Sequence, residues 1–171
     1  LRRLEFSDKP WHSKEETSKY TMLQKSGKAI RYFWVNEVNS VITSPCPEKP
    51  WTHLKKGEMV EIEGIAWSGH GTIKGVDISF DGGDNWVEAK LKGLVLPKSW
   101  TRFSYIIKWE GKPLILASRS YDDFGNIQPT IDEETSAVGV ESVYHRNAIV
   151  TWEITNKGEC NNVQIRKHKK A

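Results

Sequence analysis

Cysteine is scarce in this sequence: there are two among 171 residues, Cys46 and Cys160, far apart and outside any C-x-x-C spacing. That excludes a disulfide-stapled scaffold and a cysteine-rich zinc module. Free thiols are the simpler state, and a Cys46–Cys160 disulfide is left open. A chain of this length buries a sufficient core without such staples. The five histidines, His12, His53, His70, His145 and His168, show neither H-x-x-x-H nor H-E-x-x-H spacing. No metal site, which needs three or four converging ligands, is visible. No nucleophile signature of the G-x-S-x-G kind occurs. Long apolar runs are lacking as well: none approaches the ~18 residues of a membrane span, and no secretory leader is visible in the sequence. The opening run Leu1-Arg2-Arg3-Leu4-Glu5-Phe6 lacks Met. It reads as the cut or processed end of a longer chain, which leaves room for a leader upstream.

An excess of positive charge is present only in name. The formal net charge is +3, but Arg166, Lys167, Lys169 and Lys170 sit together beside His168 at the end. Taking those four from the 25 basic residues leaves 21 against 22 acidic ones. A terminal run of this kind is ordinarily solvated. No basic stripe interleaves with aromatics elsewhere, so nucleic acid is not an expected partner. What the sequence does have is tryptophan, eight in all. Such residues fill cores and anchor interfaces.

The chain divides into an arm, residues 1–29, a domain, residues 30–166, and a basic tail, residues 167–171. The arm is polar and carries one helix signal. Ser13 and Glu16 form a capping box after Pro10 and Trp11, predicting a helix from about Lys14 to Tyr20. A helix so short must lie on something else. Beyond Gly27 the pattern has period two. Val60, Ile62, Gly64 and Ala66 alternate with Glu61, Glu63 and Ile65; Val76, Ile78 and Phe80 alternate with Asp77 and Ser79; and Phe103, Tyr105, Ile107 and Trp109 alternate with Ser104, Ile106 and Lys108. Turn signals stand between them at Ser68-Gly69, Asp81-Gly82-Gly83, Glu110-Gly111-Lys112 and Gly125-Asn126. Leu114 to Arg119, Ile149 to Ile154 and Asn162 to Arg166 complete about seven strands. With no long amphipathic helix, the expectation is an all-β, immunoglobulin-like antiparallel sandwich of the E-set type, preceded by an irregular arm.

Two glycine patterns need weighing. Gly69, Gly71 and Gly75 superficially suggest a phosphate loop, but Ile73 to Phe80 reads as a strand where such a loop must open a helix. A glycine-rich strand connection is the better reading. Ser79, Asp81, Gly83 and Trp86 fit S-x-D-x-G-x-x-W, the Asp-box hairpin of sialidases and other β proteins. The carboxylate accepts turn amides, the glycines permit positive φ and the indole packs back. That is a folding device rather than a catalytic one, and a propeller would need repeated copies.

Four motifs in order carry a family resemblance. They are Gly64-Ile65-Ala66-Trp67-Ser68-Gly69, Val76 through Trp86, Trp100-Thr101-Arg102-Phe103, and Arg119-Ser120-Tyr121-Asp122-Asp123-Phe124-Gly125-Asn126-Ile127-Gln128-Pro129. Together they resemble the dimerisation domain of the sulfite oxidase and nitrate reductase family. The arm from Pro10 to Thr21, with Asn39-Ser40-Val41-Ile42-Thr43-Ser44-Pro45, is similar to the sulfane dehydrogenase branch of bacterial sulfur oxidation.

The resemblance implies a parent oxidoreductase whose preceding domain holds molybdenum and molybdopterin, with the segment like Leu1-Arg2-Arg3 following directly on a pterin-contacting stretch. It implies a homodimer, a c-type cytochrome partner and a periplasmic location. This stretch alone would hold no cofactor and turn nothing over. Cys46, in a proline-bounded connection, and Cys160, in a turn, would not be the metal ligand. The family's C-terminal domain lends an arginine to the anion pocket from a W-N-x-R-G pattern. That pattern has no clean match here, its expected position falling near Ser142, and His145 or Arg146 would substitute. The competing reading is an independent sandwich module that binds carbohydrate on exposed Trp side chains.

Overall fold

The computed structural model describes residues 1–9, 11–23, 26–32, 34–138 and 145–164. Pro10, the Ser142–Tyr144 stretch and the basic residues from Arg166 to Lys170 lie outside the described residues. The arm holds helix α1 (Lys14–Lys19) and strands β1 (Thr21–Leu23) and β2 (Ala29–Tyr32). The Ser13 hydroxyl accepts from the Glu16 amide while the Glu16 carboxylate accepts from the Ser13 amide, so the capping box forms. β1 and β2 pair antiparallel, so the arm's small sheet runs across residues 29 and 30.

The sandwich follows as β3 (Asn39–Ser44), β4 (Glu58–Trp67), β5 (Ile73–Ser79), β6 (Val87–Glu88), β7 (Lys90–Lys92), β8 (Thr101–Trp109), β9 (Leu114–Asp122), β10 (Thr151–Ile154) and β11 (Cys160–Val163). One sheet runs β3-β4-β8-β7 and the other β11-β10-β9-β5-β6, with every pairing antiparallel. The alternating residues face inward: Ile62, Ala66 and Phe103 from one sheet meet Val76, Ile78, Leu116 and Ile154 from the other, and all are fully buried. Two ionisable rows give the outer face of the four-stranded sheet its character, with Lys92 bonded to Glu61 at 2.6 Å and Glu63 at 3.1 Å.

Gly64 is needed for close approach. A Cβ there would lie 2.2 Å from the Phe103 ring and 2.5 Å from the Val41 carbonyl oxygen. The sheets are also joined by polar groups. Gln128, 1% exposed, bonds through Oε1 to the Ser40 hydroxyl at 2.6 Å and through Nε2 to Asn39 Oδ1 at 2.9 Å. Ser40 in turn meets Ser118 at 2.9 Å.

Two sequence expectations need correction. Cys160 is not in a turn: it opens β11 opposite Ile154 and is buried in the core. Its single-residue spacing from the Thr155–Gly158 turn concealed this, because the hairpin loop closes one residue earlier than its polar composition suggests. A helix, α2 (Ile131–Val138), was not foreseen. Thr130 and Glu133 cap it reciprocally, the same device as Ser13 and Glu16.

Candidate functional site

The Asp-box hairpin leaves β5 and curls over the outer face of the five-stranded sheet. Asp81 Oδ1 accepts from the Asp84 and Asn85 amides, both at 3.0 Å, and Oδ2 from the Asn85 side chain at 2.8 Å. Ser79 donates to Asp81 at 2.7 Å and accepts from the Gly83 amide at 2.7 Å. Gly82 and Gly83 stand at φ 74° and 94°, where a Cβ is disfavoured. The backbone and side-chain donors of Asn85, with the Ser79 hydroxyl, hold the Asp81 carboxyl well below the usual carboxylate range. Such a group stabilises the fold fully above its unfolded value near pH ~3.9 and ceases to as pH falls through the folded value. Asp81→Ala is therefore expected to lower the melting temperature by several degrees at pH 7, with the gap from wild type closing below pH ~4. Equal melting temperatures at pH 7 would remove Asp81 from the hairpin's support.

Trp86 Nε1 donates to the Gly83 carbonyl at 3.1 Å, which fixes the indole over Arg119. The guanidinium carbon lies 4.4 Å from the ring centroid, a cation–π contact, and Arg119 Nη2 pairs with Asp77 at 2.8 Å. Opposite, the segment from Ile127 to Glu133 crosses the same face. Between them lies a cavity of about 460 Å³, lined chiefly by Trp86, Arg119, Pro129, Ile131, Ile149 and Thr151.

His145 and Arg146 are adjacent in sequence and point to different partners. His145, at φ 58°, is exposed, and its ring stands 5.4 Å from that of Tyr20 on the arm. Arg146 turns inward and its Nε meets Glu134 Oε2 at 2.5 Å. The Glu134 side chain is 4% exposed, and its other oxygen accepts from the Asn147 amide at 2.7 Å and the Ala148 amide at 3.2 Å. Asn147 Nδ2 then bonds the Val38 carbonyl, and Asn39 Nδ2 bonds the Arg146 carbonyl. Glu134 is thus the hub that ties helix α2 to the 145–148 segment. It was missed in sequence because its helix was missed.

The loops at the start of β5, the start of β8 and the end of β9 share one end of the sandwich. Asp122, 2% exposed, holds them together: it accepts from the Ser68 hydroxyl at 2.7 Å, the Asn126 amide at 2.9 Å and the Phe124 amide at 3.0 Å. Asp123 and Thr72 exchange bonds, Thr72 N to Asp123 Oδ1 at 2.9 Å and Asp123 N to Thr72 O at 3.0 Å. Around them stand Leu94, Leu96, Trp100 and Phe124, all exposed.

With this geometry in view, comparison with known proteins gives one answer. The family model described as the Mo-co oxidoreductase dimerisation domain matches residues 31–152. The chain belongs to that family. It is 36% identical over 99 residues to the mitochondrial sulfite oxidase of Rattus norvegicus, covering 54% of this chain and 17% of that protein. To the sulfite oxidase of Gallus gallus it is 33% identical over 98 residues, covering 54% and 20%. The crystal structure of the sulfane dehydrogenase SoxCD from Paracoccus pantotrophus superposes with a TM-score of 0.88 at 46% identity, over 93% of this chain and 40% of that one. The matched stretch is thus about a fifth of the length of the curated relatives.

The family implies a molybdenum cofactor, and the described residues do not fit one. Among the described residues no three His, Cys, Asp or Glu side chains converge as ligands. Both cysteines are free, and burial, with Cys46 and Glu48 nearby, pushes the Cys160 thiol up to about 11, away from the thiolate that metals take. Among the described residues no helix is long and apolar enough to cross a membrane.

Proposed function

We propose that this chain is the dimerisation domain of a molybdenum-dependent sulfite or sulfane dehydrogenase, a periplasmic enzyme that oxidises a sulfur substrate and passes electrons to a c-type cytochrome. The observation that carries the reading is 46% identity to SoxCD across 93% of the chain. An independent carbohydrate-binding module draws no support from these matches. In this reading residues 1–29 follow a molybdopterin domain, residues 30–166 form the pairing domain and residues 167–171 are a basic tail. The domain supplies a self-associating body, and the preceding domain holds the metal. Sequencing the coding region upstream of Leu1 tests the assignment. A continuous frame with pterin-binding motifs and a single ligating cysteine is expected, and a start codon directly before Leu1 would overturn it.

Within that enzyme, His145 is the side chain this domain offers to the sulfur oxyanion, and Arg146 is a positioning residue. The support is their divergence: His145 is exposed, whereas the Arg146 guanidinium lies on buried Glu134. In the full-length enzyme His145→Gln should raise KM for sulfite about 10-fold with little change in kcat, as loss of uniform binding does. An unaltered KM would return His145 to the surface.

A further inference from the structure

Two thiols meet at one end of the sandwich, each contributed from the edge of a different sheet. Cys160 opens β11, the edge of the five-stranded sheet, and is 6% exposed in the same buried core as Trp51. Cys46 follows β3, the edge of the four-stranded sheet, and is part-exposed. It sits on a tight turn: its amide donates to the Lys49 carbonyl at 3.4 Å and its carbonyl accepts from the Lys49 amide at 2.9 Å. Pro45 and Pro47 flank it, and their rings limit the backbone further. The stretch that holds Cys46 is pinned to the β10–β11 hairpin on both sides. Before it, the Ile42 carbonyl accepts from Trp152 Nε1 on β10 at 3.0 Å. After it, the Trp51 amide donates to the Gly158 carbonyl at 2.7 Å, two residues before Cys160. A Cβ on Gly158 would lie 2.4 Å from the Trp51 carbonyl oxygen, so the two backbones are in direct contact there. Burial, then the charges of Cys46 and Glu48, push the Cys160 thiol up to about 11. Cys46 leads among those charges, as a near neighbour does.

Among the described residues no set of three His, Cys, Asp or Glu forms around the pair as metal ligands would. The chemistry open to two neighbouring thiols is then with each other. We propose that Cys46 and Cys160 close an intramolecular disulfide when the chain meets a small-molecule disulfide, clamping the edge of one sheet to the edge of the other. The part-exposed Cys46 reacts first. Its thiolate attacks one sulfur of the oxidant, and the other sulfur leaves as a thiolate. Cys160 then gives up its proton and attacks the Cys46 sulfur, expelling the second thiolate. The two protons that the cysteines lose go to the two expelled thiolates. Two protein thiols are oxidised and one small disulfide is reduced to two thiols. The bond closes a loop of about 110 residues, and a long loop is where a cross-link most restricts the unfolded chain.

The test treats the folded 171-residue chain with oxidised glutathione, alkylates the thiols that remain, and maps the digest by mass spectrometry. Wild type should lose both titratable thiols and give one cross-linked peptide pair holding Cys46 and Cys160. Its melting temperature should rise by about 10 °C and return on adding dithiothreitol. Cys160→Ala should stop at a glutathione adduct on Cys46. Cys46→Ser should take up no glutathione, because its remaining thiol is buried, and should melt like reduced wild type with or without the oxidant. Should Cys160→Ala fail to fold, wild type and Cys46→Ser decide alone. Wild type that keeps both thiols, stops at the Cys46 adduct or links one chain to another would overturn the proposal. A bond that forms without raising the melting temperature would overturn the clamp.

Discussion

Arg146→Met is expected to lower the unfolding free energy by about 3 kcal/mol, because it leaves the carboxylate of Glu134 buried without its cation. Arg146 keeps 30% of its side chain exposed, which places the loss at the lower end of the range for a broken buried pair. The retained oxygen contacts to the Asn147 and Ala148 amides cannot compensate for the lost charge. Replacing the carboxylate as well, in Arg146→Met with Glu134→Gln, should recover part of the loss, since an amide oxygen still accepts from those two amides without a charge to bury. Urea titration of the single and double variants measures this. A double variant that loses the sum of the two single losses would show the pair to be uncoupled.

Asp122→Ala is expected to cost about 4 kcal/mol. It removes the acceptor of the Ser68 hydroxyl and of the Phe124 and Asn126 amides at once, and each buried donor left unmet costs about 1–3 kcal/mol. Burial pushes this carboxyl up, but the side chains of Asn126 and Ser68 and the amides of Asn126 and Phe124 outweigh it, so its acidity lies below the usual carboxylate range. The contribution is therefore complete above about pH 4 and is lost as pH falls through the folded value. Denaturation of wild type and Asp122→Ala at pH 7 and again in acid should give a large difference that narrows in acid. A difference independent of pH would mean that the carboxylate is not ionised in the fold. Because Asp122 also accepts from the Phe124 and Asn126 amides, the same substitution should loosen the 122–126 loop.

Much of this architecture could be read from residue order. Period-two patterning in β4, β5 and β8 named the inward residues Ile62, Val76 and Phe103, because a half-buried strand leaves no other place for them. The capping box at Ser13 and Glu16 placed α1 within one residue. The equivalent box at Thr130 and Glu133 was as plain, yet no helix was read there and α2 was missed. The polar knots escaped for a different reason. Asp122, Gln128 and Glu134 look like surface residues in sequence, and only tertiary contact shows that each is buried with its partners supplied by distant strands. The Asp-box motif gave its own geometry, whereas nothing local foretold that Trp86 would cover Arg119. Where His145 and Arg146 point was illegible for the same reason: neighbours on an irregular segment diverge according to what each meets.

A dimerisation domain should pair with its own copy, and the mass of the chain in solution tests this most directly. Sedimentation equilibrium at tens of micromolar should give twice the 19.6 kDa of one chain, with dissociation only on dilution. A mass of 19.6 kDa across that range, from protein shown to be folded, would contradict it.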